Sequence, residues 1–227
     1  MAEQLTFDLP ARAALGRGDF FVSPANAVAV ATVEGWRDWP LGRLALAGPA
    51  GAGKTHLAHV WAEQAGARIL SARDLAGADG ADLSSGPLAV EDAGRIAGDA
   101  TAERALFHLI NRMGETGQPL LMTGAEPPAR WGVALPDLAS RLQATHVAAI
   151  GAPDDVLLAA VMVKQFADRQ LAVPPEVIRY LVDRMPRSFA TAGEIVDRLD
   201  RAALREGRAI TRRLAARLLD NGDGEGE

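Results

Sequence analysis

The chain has 227 residues, 48% of them apolar, no cysteine and a formal charge of −5. That length suits one compact α/β domain with a helical appendage, or two small domains, and the missing cysteines exclude disulfides and thiolate zinc sites and make a reducing cytoplasm the expected compartment. The acidic balance opposes general nucleic-acid binding, no run approaches the ~20 apolar residues that cross a bilayer, and Glu3 and Asp8 near the N-terminus argue against a secretory signal.

Residues 1–19 read as a flexible tail punctuated by Pro10, Gly16 and Gly18. After the apolar run Phe20-Phe21-Val22 a helix is predicted to about Trp36, with Ser23 as its N-cap and Pro24 at its first position. Arg43–Ala47 reads as a buried strand running into a glycine loop, and Lys54–Ala65 as the helix after it, ended near Gly66. Residues 67–70 form a second strand, 77–87 a surface loop and 88–90 a third strand ending in Glu91-Asp92. A helix is predicted over 101–115, a strand over 119–123, a short helix over 137–143 and a fifth strand over 147–150. Strands alternating with helices imply a parallel sheet covered on both faces, which assigns residues 20–152 to an α/β domain. Only helices follow, at about 154–169, 175–185, 188–206 and 211–219, with Phe189, Ala192, Val196, Leu199 and Ala203 on one face of the third. They make 153–219 a small helical domain, and the Gly- and acid-rich 220–227 is expected to be disordered.

The strongest chemical signal is Gly48-Pro49-Ala50-Gly51-Ala52-Gly53-Lys54-Thr55. Its glycines let backbone N–H groups turn inward on phosphate oxygens, and the following helix points its positive end at them. Lys54 is expected to reach the β- and γ-phosphates of ATP or ADP, and Thr55 to ligate Mg²⁺. Glu91-Asp92 ends the third strand beside that loop. Glu91 can hold Mg²⁺ and Asp92 can orient an attacking water, or the pair is an ordinary acidic strand terminus. Thr123, at the end of the next strand, is placed to touch a terminal phosphate or that water, or to do neither. Read alone, Arg141 is first a helix-surface arginine paired with a carboxylate. The four histidines lack metal-ligand partners, and His56 and His59 on the glycine-loop helix read as packing or phosphate-adjacent groups.

The order of these pieces resembles the DnaA branch of AAA+ ATPases. The matching text is Phe21-Val22-Ser23-Pro24-Ala25-Asn26, then Gly48 to His56, Val90-Glu91-Asp92, Thr123 with Pro127-Pro128, and Leu138-Ala139-Ser140-Arg141-Leu142. The resemblance implies an AAA+ P-loop fold with a helical lid over 153–219. It also implies a base contact near Val22 and Asn26, and an arginine finger at Arg141 that enters a neighbouring subunit's ATP site. Within the branch the chain looks most like the Hda-like regulators. Only eight residues follow Leu219, where DnaA carries a DNA-binding domain, so sequence-specific DNA binding is not expected. The stretch between Leu70 and Leu88 is too short and acidic for DnaA's single-strand-gripping insertion.

The tail Gln4-Leu5-Thr6-Phe7-Asp8-Leu9 resembles the peptide that docks such regulators on the DNA polymerase sliding clamp, with Gln4 at a pocket rim and Leu5, Phe7 and Leu9 as apolar anchors. Read alone, it is a frayed tail whose apolar residues pack locally. One departure is Ala190, which stands where the family has a lid arginine. Arg187 lies one turn away. The resemblance therefore implies a clamp-recruited inhibitor of replication initiation, with slight turnover of its own and some capacity to self-associate. It would promote hydrolysis of ATP on the initiator DnaA through Arg141. The rival reading is a self-contained ATPase such as a helicase loader.

Overall fold

The computed structural model describes Gly18 and residues 20–220. The clamp-like segment with Gln4, Leu5, Phe7 and Leu9, and the acidic tail after residue 220, lie outside the described residues.

The N-terminal helix is shorter than its sequence predicts. It starts at Ala27, not Pro24, because Asn26 organises a turn ahead of it: Asn26 Oδ1 accepts the Ser23 N–H at 2.9 Å and Asn26 Nδ2 donates to the Phe21 carbonyl at 3.0 Å. Ser23 is thus a turn residue, its hydroxyl accepting from Ala25 N, and α1 spans Ala27–Glu34. A second departure is α3, Gly80–Leu83, one turn capped by Asp79 inside the stretch expected to be loop.

Five strands form one parallel sheet: β1 Arg43–Ala47, β2 Arg68–Ser71, β3 Leu88–Glu91, β4 Leu120–Gly124 and β5 His146–Ala149. Their spatial order is β2-β3-β4-β1-β5, so β1 is flanked by β4 and β5. Both central strands β1 and β4 are buried at every residue, as a sheet covered on two faces requires, and the edge strands β2 and β5 are not. Helices α2 Lys54–Ala65, α4 Ala100–Thr116 and α5 Pro136–Gln143 connect the strands.

One core packs α1 and α2 against the sheet around Trp61, Leu44, Leu46 and Leu121. Trp61 is fully buried, stacks on Trp39 at 5.3 Å and meets the edge of Trp36 at 6.5 Å. This aromatic anchor fixes the helix that follows the glycine loop, and truncating such a side chain costs about 3–5 kcal/mol. The opposite face packs α4 and α5 through Leu106, Leu109 and Leu138 onto Val90 and Met122.

Helices α6 Asp155–Asp168, α7 Pro175–Val182, α8 Phe189–Glu206 and α9 Arg212–Asp220 follow the sheet. They have a core of their own, with Leu158, Met162, Phe166, Leu181 and Leu199. Three side chains leave it: Leu157, Val161 and Phe189 pack with the base core instead, so the helical unit is pinned against the base. The result is the expected α/β class, a five-stranded parallel sheet flanked by helices with a helical lid.

Candidate nucleotide site

β1 leads straight into the loop Gly48–Thr55, and α2 begins at Lys54. The N-cap Gly53 lies in the left-handed region at φ 85°, and no side chain caps the helix, so its first amides are left for another acceptor. The loop has no room for larger residues. A Cβ at Gly51, itself at φ 77°, would sit 2.9 Å from Phe189 Cβ of the lid, and one at Gly48 would sit 2.9 Å from the Ile150 carbonyl oxygen. Close lid and strand packing, as well as phosphate geometry, therefore selects glycine at these positions.

Two depressions meet at this loop. The first, about 650 Å³, lies between base and lid and is lined by Phe20, Phe21, Asn26, Gly51–Gly53, His56, and the lid residues Leu157, Val161 and Phe189 among others. Asn26 and His56 are both buried, and the His56 ring meets Phe20 edge-on at 5.0 Å. Val22, the other residue assigned to the base by resemblance, is 39% exposed and does not line this cavity. Phe20 and Phe21 occupy that place. The second depression is an open cleft lined by Ala50, Gly51, Gly53, Lys54, Thr55, Asp92 and, across from them, Arg95, Glu126, Arg130 and Trp131.

Lys54 Nζ donates to the carbonyl oxygens of Gly48 and Pro49 at 2.8 and 2.9 Å, which holds the ammonium inside the loop. Burial lowers its pKa and the nearby Asp92 carboxylate opposes that shift. Asp92 is one of three non-glycine residues at positive φ among the described residues, at 55°, and its carboxylate pairs with Arg95 Nε at 3.1 Å. Thr123 is buried, does not line the cleft, and its hydroxyl accepts the Asp92 N–H at 3.0 Å. Its hydroxyl thus supports the Asp92 turn.

The residues present fit a nucleotide with Mg²⁺. Glu91 Oε1 is buried and has no hydrogen-bond partner, an arrangement that a cation or its water shell would relieve. Thr55 lines the cleft, while Glu91 lies behind Asp92 at the end of β3. No cluster of three metal-ligating side chains occurs among the described residues. That is compatible with Mg²⁺ held mainly by phosphate and water, as is usual for this ion.

Arg187 does not take the place of a lid arginine. Its guanidinium grips both oxygens of Asp155 at 2.7 and 2.8 Å, the hydrogen bonds from Arg187 holding that carboxyl below its ordinary value, and it is absent from the cleft lining. Ala190 is exposed. The cations on the cleft are instead Lys54, Arg95 and Arg130, the last paired with Glu126 at 3.3 Å. Arg95 and Arg130 escaped sequence reasoning, although Arg95 stands three residues after Asp92, a spacing that brings two side chains together on one turn.

Arg141 does not line this cleft. It projects from α5, exposed, and forms no ion pair among the described residues, contrary to the plain expectation of a carboxylate partner. Its backbone carbonyl, in contrast, is engaged, accepting from Thr145 Oγ1 at 2.9 Å and from Arg43 Nη2 at 3.3 Å.

With this geometry in place, residues 155–216 match the family model described as Hda, lid domain. Among solved structures the chain is similar to domain III of the Thermotoga maritima replication initiation protein DnaA, at 18% identity over 91% of this chain and 96% of that one, TM-score 0.75. It is similar to AMPPCP-bound DnaA from Aquifex aeolicus at 20% identity over 79% of this chain and 63% of that one, TM-score 0.62. The Thermotoga maritima RuvB Holliday junction branch migration motor shares 20% identity over 86% of this chain and 65% of that one, TM-score 0.56. At these identities the structural likeness establishes the AAA+ fold, and the chain spans under two-thirds of the longer Aquifex and RuvB chains.

Proposed function

We propose that this chain is an Hda-like member of the DnaA branch of AAA+ proteins, a negative regulator of replication initiation that promotes hydrolysis of ATP bound to DnaA; the lid match over residues 155–216 and the AAA+ fold support that reading. The observation that carries the reading is Arg141: an exposed guanidinium on a short rigid helix, with no carboxylate taking up its charge among the described residues. Such a group is free to enter a second protein's phosphate site. A guanidinium delivered across an interface stabilises charge on a transferring phosphoryl group and is worth ~10³–10⁵ in rate.

The chain's own nucleotide serves this role by binding. The amides of Gly51–Thr55 and Lys54 would hold its phosphates, Thr55 and Glu91 its Mg²⁺, and Asn26 and His56 with Phe20 and Phe21 would border its base. When bound, the nucleotide supplies a polyanion that neutralises Lys54 and the α2 N-terminus where base and lid meet. Leu157 and Phe189 pack across that joint, so a nucleotide bound there would touch both base and lid. Asp92 could orient a water, yet its carboxylate is paired with Arg95 and the lid offers Ala190 in place of an arginine. These features favour slight turnover in this chain over the alternative of a self-contained ATPase such as a helicase loader.

Recruitment is assigned to residues 4–9 on the DNA polymerase sliding clamp, with Gln4 at a rim and Leu5, Phe7 and Leu9 in apolar pockets. The experiment is hydrolysis of ATP preloaded on DnaA, with DNA-loaded clamp, in the presence and absence of this protein. Acceleration that requires all three components supports the reading. Hydrolysis by this chain alone at the same rate overturns it in favour of the self-contained ATPase.

A further inference from the structure

Helix α5 is held at both ends by buried ions that do not pair with each other. At its entry, the Glu103 carboxylate in α4 accepts the N–H groups of Ala134 and Leu135 at 2.9 and 2.8 Å, and that of Gly98 at 3.0 Å. At its exit, Arg43 at the start of β1 donates from Nε to Thr145 Oγ1 at 3.0 Å and from Nη2 to the Arg141 carbonyl at 3.3 Å. Thr145 closes the triangle by donating to the same carbonyl. The anion at the helix N-terminus and the cation at its C-terminus each match the sign of the helix dipole. Arg43 is 7% exposed and has no ion pair among the described residues, so the usual reason for burying a guanidinium is missing.

We infer that Arg43 is a positioning residue for Arg141, holding the last turn of α5 so that the Arg141 guanidinium is presented outward at a fixed angle. This rests on the reading of Arg141 as a group that acts on a partner's nucleotide. Three features support it. The contact of Arg43 is with the backbone of Arg141 itself. The two guanidinia repel, burial first and the Arg141 charge second lowering the Arg43 pKa, which disfavours a fold-back of Arg141 onto the surface. The strand that begins at Arg43 ends at Ala47, next to Gly48, so one rigid five-residue strand joins the finger helix to the chain's own nucleotide loop. A misplacement of about 1 Å in a catalytic group can cost ~10²-fold in rate.

The test is stimulated hydrolysis of ATP on DnaA with DNA-loaded clamp, titrated with wild type, Arg43→Met, Arg43→Lys, Thr145→Val and Arg141→Ala. A positioning role lowers the maximal stimulated rate for Arg43→Met roughly 10- to 100-fold, while the half-saturating concentration and ADP affinity stay within about twofold. Arg43→Lys should recover little, because one ammonium cannot reach both acceptors in the guanidinium's fork geometry. Thr145→Val, nearly isosteric, should fall between, and it decides the matter if Arg43→Met does not fold. Wild-type maximal rates for Arg43→Met and Thr145→Val, with Arg141→Ala inactive, overturn the inference and leave the finger reading standing. Full activity of Arg141→Ala overturns both. A raised half-saturating concentration with an unchanged maximal rate overturns the inference as well, since Arg43 would then serve docking alone.

Discussion

The hydroxyl of Thr123 accepts the backbone N–H of Asp92 at 3.0 Å, tying the end of β4 to a left-handed residue that turns the chain at the end of β3. An aspartate at φ 55° is tolerated more readily than most side chains, but it still carries strain that its surroundings must hold. Thr123→Val keeps the shape and removes the acceptor, leaving the Asp92 amide unsatisfied. The expected cost is about 1–2 kcal/mol, read as a melting temperature lower by ~2–8 °C, with Thr123→Ser close to wild type. An unchanged melting temperature for Thr123→Val would show that water replaces the hydroxyl without cost.

Lys54 is the cation deepest in the glycine loop, held by two of the loop's carbonyls. Lys54→Ala should weaken ADP and ATP binding by at least ~10- to 100-fold, the scale of a charged hydrogen bond to phosphate, with far-UV circular dichroism unchanged. Calorimetry giving wild-type affinity would remove the loop from the nucleotide site.

Glu103 gives the fold a pH signature. Burial alone would raise its carboxyl, but hydrogen bonds from Ala134, Gly98 and Leu135 bring the pKa below its ordinary 4.5. A depressed folded-state pKa contributes stability that is complete above the unfolded value and is lost as pH falls through the folded one. Thermal stability should therefore decline below about pH 4.5 with Glu103 as one contributor. Glu103→Gln should melt ~4–8 °C lower at neutral pH, since an amide cannot accept from all three N–H groups and unsatisfied buried donors cost ~2 kcal/mol. Its decline in acid should also be shallower than that of wild type. Parallel acid limbs for the two proteins would assign the loss to other carboxylates.

The proposed docking of residues 4–9 on the sliding clamp can be tested directly. Replacing Gln4, Leu5 and Phe7 with alanine should abolish binding to the sliding clamp by interferometry while ADP affinity stays within twofold. Undiminished clamp binding would locate the interaction elsewhere in the chain.

How far the sequence speaks can be judged residue by residue. Arg43–Ala47 and Lys54–Ala65 take the bounds their apolar run and glycine punctuation predict, because a strand-loop-helix unit is locally encoded. The face of α8 with Phe189, Ala192, Val196, Leu199 and Ala203 is likewise buried as its spacing predicts. The start of α1 was not legible, since Asn26 competes for the backbone with its own side chain. Nor was the split of Leu157 and Leu158 between two cores, or the seating of Phe189 on Gly51, which depend on contacts between residues far apart in the chain. The sheet order that places β4 between β3 and β1, and so brings Thr123 to Asp92, has no local signal at all.

The most direct measurement is single-turnover hydrolysis of radiolabelled ATP preloaded on DnaA, with DNA-loaded clamp, comparing wild type with Arg141→Ala and Arg141→Lys. Arg141 lines neither depression of its own nucleotide site, so ADP affinity, clamp binding and melting temperature should stay near wild type in both variants. The account predicts that Arg141→Ala loses most of the stimulation, on the order of 10³-fold, and that Arg141→Lys recovers little of it because a point charge lacks the planar fork. Stimulation by a folded Arg141→Ala at the wild-type rate would contradict the account at its centre.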